Sequence, residues 1–131
     1  MPFPVDPDRI DTAERSLAFR FPPAWRRALQ QRNGGEFVLN GEDWNIHPVW
    51  DDSDRKRAGR TANHVARETE QARKWNGFPA AAIALANNGH GDLLIVLAGS
   101  SSVCRWDHEE ALMEELGDLD PSTLADNDTD D

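Results

Sequence analysis

The feature that most constrains this chain is the pentapeptide LLIVL at residues 93–97, which is apolar at every position. A strand with one solvated face alternates polar and apolar side chains, whereas an unbroken apolar strand is covered on both faces. The run is also far shorter than the roughly 20 apolar residues that a membrane span needs. We therefore expect a central strand inside a packed sheet, and no interaction with a membrane.

Further strands are indicated on both sides of this run. Residues 81–86 alternate around Ile83 and Leu85, and SVCRW at 102–106 has the composition of another strand. The segment EFVLNGEDWNIHPVW at 36–50 predicts a β-hairpin, because Asn-Gly is the strongest short signal for a hairpin turn. Pro48 lacks a backbone donor, so the second strand of this hairpin is expected at a sheet edge or with a bulge.

Four helices are predicted around these strands. The first spans residues 6–21 with Pro7 in its first turn, and the second starts after Pro22-Pro23 and is stopped by Asn33-Gly34-Gly35. A third covers residues 61–75, after a charged surface loop at 51–60. The last begins after an N-cap at Asp107 and buries three apolar side chains, Leu112, Met113 and Leu116. This order predicts a single α+β domain with a mainly antiparallel sheet of about five to six strands.

Length and charge set the domain boundaries that we expect. The chain has 131 residues, enough for one ordinary domain. Its formal net charge is −10, and residues 118–131 contain six Asp and no base, so residues 1–117 carry −4. We therefore divide the chain into a folded domain at 1–117 and an acidic tail at 118–131, whose composition favours disorder.

The same composition bounds the partners and the compartment. An acidic surface repels nucleic-acid phosphate and attracts basic proteins, so we expect a protein partner and no nucleic acid. The single cysteine, Cys104, excludes a disulfide within the chain, and no secretory signal is visible at the N-terminus. We expect a protein of a reducing cytoplasm. The sequence does not determine the oligomeric state.

The segment NNGHGD at 87–92 brings together several side chains that could bind a metal or a phosphate. His90, Asp92 and His108 offer nitrogen and oxygen donors, and a metal-dependent enzyme using them is one alternative. The competing interpretation is a turn, because the glycines form turns and Asp92 can bond turn backbone. A phosphate-binding loop is disfavoured because the turn leads into a strand and not into a helix. Cys104 lies in an apolar strand, where a buried thiol is expected rather than a nucleophile.

Two groups of motifs resemble one known family. The N-terminal group places a helix, a hydrophobic-Pro step, an aromatic residue and an NGG turn in the family's order, through Ile10, Glu14, Leu17, Phe21-Pro22, Trp25, Leu29 and Asn33-Gly34-Gly35. The second group is NNGHGDLLIVL followed by SSSVCRWDHE. In order and spacing these motifs are similar to those of the SUKH superfamily, the Smi/Knr-type domain, over most of residues 10–116. Ala18 and Phe19 depart from the pattern, since a glycine often follows Leu17 there.

The resemblance implies a twisted antiparallel sheet, a binding module and not an enzyme, and no cofactor. Bacterial members are commonly immunity proteins that neutralise polymorphic or contact-dependent toxins, many of them nucleases, and fungal relatives are scaffolds that regulate cell-wall assembly. Under this resemblance the motif residues are fold signatures and not working groups: Asn33, Gly34, Gly35, Gly89, Gly91, Asp92, Trp106 and Asp107.

The sequence also suggests where a partner would bind. Tryptophan is enriched among interface anchors, and complementary charge speeds encounter and fixes register. The predicted contact residues lie in and after the second strand of the hairpin: Trp44, Trp50, Asp51, Asp52 and Asp54. With these residues the expected function is immunity against a basic toxin domain, and the alternative is a regulatory scaffold without a toxin.

Overall fold

The computed structural model describes residues 3–39, 41–100, 102–110 and 112–118. Within them the helices are α1 (Pro7–Leu17), α2 (Pro23–Gln31), α3 (Arg55–Arg60) and α4 (Val65–Ala72). The strands are β1 (Glu36–Leu39), β2 (Glu42–Ile46), β3 (Ala82–Asn87), β4 (Leu93–Leu97), β5 (Ser102–Asp107) and β6 (Leu112–Asp118). Asn40, which the hairpin prediction used, and residues 119–131 of the predicted tail lie outside the described residues.

The six strands form one sheet in the order β1-β2-β3-β4-β5-β6. Every neighbouring pair is antiparallel. Strands that follow one another in the sequence are therefore neighbours in space, as short connections favour. The predicted α+β class with an antiparallel sheet is confirmed.

Helices α1 and α2 cover one face of the sheet. Ile10, Ala13 and Leu17 form the buried stripe of α1, and Trp25 and Leu29 that of α2. The largest side chains of this main core include Trp25, Phe37 and Trp44, and the Trp25 and Phe37 rings meet edge to face at 5.6 Å between centroids. Helix α1 ends at Leu17, before the end at residue 21 that the sequence predicted, because its C-cap Ala18 has a φ of 52° in the left-handed region.

Strand β4 is covered on both faces, as its unbroken apolar run predicted. Leu94 and Val96 belong to the main core under the helices. Leu93 and Ile95 belong to a second apolar cluster on the opposite face, together with Ala72 and Trp106. Residues 93–96 are all buried, and this places β4 at the centre of the sheet.

Strand β2 differs from the prediction in length and position. It ends at Ile46 and not at Trp50, and it lies between β1 and β3 and not at an edge. Its pairing with β3 covers two positions, Asn45 with Asn87 and Ile46 with Ala86, and one further bond runs from the His47 amide to the Leu85 carbonyl. The chain then leaves the sheet at Pro48, which cannot donate to a ladder. The missing donor thus ends the strand, and does not mark the edge or bulge that the sequence predicts.

Helix α4 takes the place of β2 along the first half of β3. The hydroxyl oxygen of Thr69 accepts a hydrogen bond from the Ala84 amide at 3.0 Å, and the Pro48 carbonyl accepts one from the Val65 amide at 2.7 Å. The predicted helix at 61–75 is thus confirmed with shorter bounds. Its role is to satisfy part of β3 on the side where β2 does not reach, while β4 pairs with the other side.

The prediction of a loop over residues 51–60 is wrong in its second half, which forms α3. The Asp54 carboxylate caps this helix by accepting a hydrogen bond from the Arg57 amide at 2.7 Å. Aspartate is among the best N-cap residues, and this signal was present in the sequence. The segment was assigned to a loop because most of its residues are charged.

The prediction of a final helix is also wrong, because the segment forms strand β6. It pairs with β5 over six positions, from Asp107 with Leu112 to Ser102 with Asp118, with a bulge at Val103/Cys104. Asp107 does not cap a helix: its carboxylate accepts from the Glu109 amide at 2.9 Å within the β5–β6 turn. The backbone hydrogen bonds to β5 stabilise a strand here, and the intrinsic conformational preferences of the residues do not predict this pairing.

Candidate partner-binding surfaces

The Asn33-Gly34-Gly35 motif joins the second helix to the rest of the core. The Asn33 side chain is buried and makes two bonds to Val49, donating to its carbonyl at 2.9 Å and accepting from its amide at 2.8 Å. Gly34 and Gly35 both have positive φ, at 122° and 88°, which glycine adopts without steric cost. Helix α2 itself ends one residue earlier than predicted from the glycines, with Arg32 extended.

The NNGHGD segment is a turn closed by its own asparagines. The Asn88 side-chain oxygen accepts from the amides of His90 and Asp92, at 2.9 and 3.2 Å. The Asn87 oxygen accepts from the Gly89 amide at 3.0 Å. Because these amides are already bonded, they do not form a phosphate cradle.

Asp92 is part of an ion-pair cluster that ties this turn to β5 and β2. The Arg105 guanidinium bonds the Asp92 carboxylate and also reaches Glu42 at 3.2 Å. Trp106, next to Arg105 in β5, is 1% exposed in the second apolar cluster. Asp92 and Trp106, which the sequence marked as fold signatures, therefore have structural roles. Asp92 pairs with Arg105, and Trp106 packs in the second apolar cluster.

The metal hypothesis is met in part by the geometry. Asp92, Asp107 and His108 each offer one donor atom, and these atoms lie within 4.8 Å of one another. His90, which the hypothesis included, is exposed and does not belong to this group. Zinc takes three or four converging ligands. In this group the Asp92 carboxylate is already paired with Arg105, and one Asp107 oxygen is bonded to turn amides.

Cys104 has the environment of an unreactive thiol. It is buried in β5, as expected from the sequence. Burial, and then the negative charge of Glu115, raise the pKa of the Cys104 thiol above its ordinary value. A raised pKa disfavours the thiolate, which is the nucleophilic form.

Two of the five predicted contact residues are buried and cannot be contact residues on this structure. Trp44 is fully buried in the main core, where its face of β2 meets the helices. Asp51 is 5% exposed, and its carboxylate accepts from the Ser53 amide and pairs with Arg9 at 3.3 Å. For Asp51 the prediction failed because the chain leaves the sheet at Pro48, so strand alternation no longer determines which side chains face solvent. For Trp44 it failed because the predicted contact face of β2 is the face that the helices cover.

Trp50, Asp52 and Asp54 are exposed, and for them the contact prediction stands untested. The Trp50 ring lies 5.5 Å from the His64 ring, at one side of a cleft of about 580 Å³ between α1 and α4. Hydrogen bonding to Arg9 lowers the pKa of Asp52, and the Arg57 amide lowers that of Asp54. Each of these carboxylates thus has an arginine partner, so this surface carries less free negative charge than the sequence suggests.

The basic segment RKRAGR is also engaged within the molecule. Arg57 pairs with Asp51 and Asp54, and its guanidinium carbon lies 4.1 Å from the centre of the Phe3 ring. Arg60 lies over the same ring at 4.8 Å. Arg57 thus neutralises two neighbouring acids within the molecule, Asp51 and Asp54.

A second exposed surface was missed by the sequence reasoning. Trp75 and Met113 are 41% and 48% exposed and both adjoin the buried Trp106. The available signal was Trp75 itself, a large apolar residue in the polar stretch ARKWNG at the end of α4. Met113 was assigned to a buried helix face, so its place on a strand was not foreseen.

The comparisons agree with this fold. The model of the SMI1 / KNR4 family (SUKH-1) matches residues 4–119, which is most of the chain, and the protein belongs to that family. A comparison with curated proteins finds no match. Among the described residues, no helix is long and apolar enough to cross a membrane.

Proposed function

We propose that this protein is a non-catalytic binding module, and that it is an immunity protein that neutralises a basic toxin domain, such as a nuclease, by direct contact. Membership of the SMI1 / KNR4 family supports the kind of domain. The alternative within that family is a regulatory scaffold whose partner is not a toxin.

The observation that carries the proposal is the free negative charge on the described surface. The exposed carboxylates of Glu109, Glu110, Glu114 and Glu115 have no ion pair among the described residues, and the whole chain carries −10. A protein with such a surface attracts cationic partners and raises their rate of association.

The structural use of the polar groups supports the non-catalytic part of the proposal. Within the NNGHGD turn the Asn88 side-chain oxygen accepts from the His90 amide, and the Asp92 carboxylate is paired with Arg105. The Cys104 thiol is buried, and its pKa is raised. A working nucleophile or general base needs the opposite arrangement, an accessible group with a pKa near the operating pH.

Co-expression with a toxin-like gene product encoded beside this chain tests immunity. We expect the protein to restore growth and to bind the purified toxin domain with an affinity that falls as salt rises. A toxin domain that binds but still kills, or a gene with no such neighbour and a cell-envelope partner, would replace immunity with the scaffold alternative.

Metal analysis tests the enzyme alternative, for which Asp92, Asp107 and His108 are the geometric basis. The protein should be purified without an affinity tag and titrated with Zn²⁺ and Mn²⁺. Stoichiometric binding that is lost in His108→Ala would oppose the non-catalytic proposal, whereas equal weak binding by both proteins would support it.

A further inference from the structure

We propose that the basic partner binds at the β6 surface, which we define by Trp75, Met113, Glu109, Glu110, Glu114 and Glu115, and that the occupant is an extended, cationic segment of a protein that adds to the edge of β6. This inference rests on the proposed function and specifies the binding surface that it requires. It differs from the surface suggested by the sequence, whose exposed residues are Trp50, Asp52 and Asp54 and which we call the Trp50 surface.

The apolar part of the β6 surface is built around one buried ring. Trp75 stacks on Trp106 with centroids 5.5 Å apart and planes 15° apart, and Phe78 meets Trp106 edge to face at 5.1 Å. Met113 is the cross-strand partner of Trp106, and directly paired residues of antiparallel strands point to the same face. Trp75 and Met113 therefore flank the same ring and together expose one apolar patch.

The backbone of β6 offers the second element of recognition. In the part of the chain that the structure describes, β6 is the last strand of the sheet and pairs on one side, with β5. The other side of an edge strand presents unpaired amide and carbonyl groups, which an extended segment of another chain can complete.

The charge of the surface selects the chemistry of the occupant. Glu109 and Glu110 lie in the β5–β6 turn, and Glu114 and Glu115 lie on the strand; all four are exposed and none has an ion pair within the described ranges. By the register with β5, Glu115 shares the face of Met113, and Glu114 lies on the other face, opposite Arg105. Arg105, together with Arg73 and Lys74 before Trp75, opposes this charge only in part. A second copy of the chain is disfavoured as occupant, because β6 paired with β6 would bring glutamates against glutamates.

The other candidate surface has less unpaired charge to offer. Asp52 bonds Arg9 at 2.8 Å, and Asp54 is paired with Arg57. A cationic partner would have to compete with these arginines at the Trp50 surface, whereas the glutamates of the β6 surface have no ion-pair partner in the part of the chain that the structure describes.

The test uses the full chain and three short peptides as probes, one alternating Lys and Val, one alternating Glu and Val, and one Lys/Val peptide interrupted by Pro. Binding is mapped by amide chemical shifts at about 0.05 M and about 0.3 M salt, where screening lengths differ. We expect the Lys/Val peptide to bind at low salt, to perturb residues 113–117 and the Trp75 indole, and to weaken about tenfold at the higher salt. The Glu/Val and Pro-interrupted peptides should bind at least about tenfold more weakly.

Charge reversal supplies the variants, since these side chains are exposed and their change leaves the core intact. The double variant Glu114→Lys/Glu115→Lys should weaken binding of the Lys/Val peptide at least about tenfold. The matched control is Glu36→Lys/Asp43→Lys in the β1–β2 hairpin, at the opposite end of the sheet, where both side chains are also exposed. It should change binding less than about twofold.

Several results would overturn the inference: no binding of the Lys/Val peptide at low salt, shifts centred on Trp50, or equal losses in the two double variants. These outcomes are separate from the proposed function. Restored growth in co-expression, unchanged by Glu114→Lys/Glu115→Lys, would keep immunity and reject this surface. Peptide binding at β6 without protection from a toxin would keep the surface and reject immunity.

Discussion

The imidazole ring of His108 lies directly over Gly91, with no room for a side chain between them. A Cβ placed on Gly91 would be 2.7 Å from the ring's Nδ1 and 2.9 Å from its Nε2. His108 also faces Asp92, whose Oδ1 is 3.7 Å from the same Nδ1, and its ring meets that of Trp75 at 5.2 Å between centroids. The glycine thus lets the NNGHGD turn approach the β5–β6 turn closely.

Gly91→Ala is expected to destabilise the fold by about 1–3 kcal/mol, through the strain of a side chain at a φ of 99° and the displacement of the His108 ring. Urea unfolding measures the change. Gly89→Ala is the matched control, because its φ is also positive but nothing lies within 4 Å of the added Cβ. The double variant Gly91→Ala/His108→Ala should recover the part of the loss that comes from displacing the ring. If Gly89→Ala is as damaging as Gly91→Ala, backbone strain alone explains the effect.

Ala18→Gly is expected to stabilise the protein by about 0.5–1 kcal/mol. Ala18 has a φ of 52° after the last turn of α1, and its amide bonds the Arg15 carbonyl at 3.3 Å, as in a helix C-cap. Glycine adopts this conformation without the steric cost that alanine bears. Thermal unfolding measures the gain. Ala28→Gly in the interior of α2 is the control and should lose about 1 kcal/mol; a loss at both positions would contradict the strain at Ala18.

Asn33→Ala is expected to cost about 2–4 kcal/mol, because it leaves both the amide and the carbonyl of buried Val49 without a partner. Asn33→Asp should also be damaging, since a carboxylate accepts from the amide but cannot donate to the carbonyl. Denaturant unfolding of both variants gives the comparison. A loss below about 1 kcal/mol for Asn33→Ala would mean that water replaces the amide.

Stability is expected to fall as pH drops below about 6.5 because of His47. Burial is the main cause that lowers the pKa of His47 from its ordinary value of 6.5, against the weaker opposing effects of the Ala84 carbonyl and Glu68. The unfolded chain then binds a proton that the folded chain excludes, so the loss begins near 6.5 and grows toward the lower folded pKa. The free energy of unfolding changes with pH by at most about 1.4 kcal/mol per pH unit, because one group binds one proton.

The neutral tautomer of His47 explains why protonation is resisted. Nδ1 lies 2.8 Å from the Ala84 carbonyl and must carry the proton, which leaves Nε2 to accept from the Asn87 amide group at 3.0 Å. Unfolding of His47→Gln at about pH 7.5, 6.5 and 5.5 should show a shallower decline than the parent protein. Burial also lowers the pKa of His64, so His64→Gln is measured in parallel. Identical slopes in the parent and His47→Gln would refute the assignment.

Strand β4 was predicted from its apolar pattern, whereas β6 has no pattern that distinguishes it from a helix. LLIVL is apolar throughout, and its burial on two faces follows from that pattern. The segment from Leu112 reads as helix by local spacing, but an open edge of β5 pairs with it, and this long-range contact is invisible to local propensity. The family motifs were recognisable because their glycines and Asn33 have fixed backbone or side-chain roles.

The contact surface was harder to foresee, for a reason of chain geometry. Whether Asp52 is free or paired depends on Arg9, which is far away in the sequence and comes near through the packing of α1. Trp44 and Trp50 have the same strand parity, yet the chain leaves the sheet between them at Pro48, so one is buried and the other exposed. Residue type predicted that tryptophans and acids would matter, and packing decided which of them face solvent.

The short pairing between β2 and β3 bears on which changes in chain length the fold accommodates. On the side of β3 that faces β2, the backbone groups beyond Ile46 bond the Thr69 hydroxyl, the His47 amide and the His47 ring. On this side there is no continuous backbone ladder, whereas β4 pairs with the other side of β3. The excursion over residues 48–64 is therefore not held in register by a partner strand. Insertions and deletions at its exposed positions, away from buried Val49, Asp51 and Thr61, can alter the length of the chain while the β3–β6 meander keeps its strand pairing.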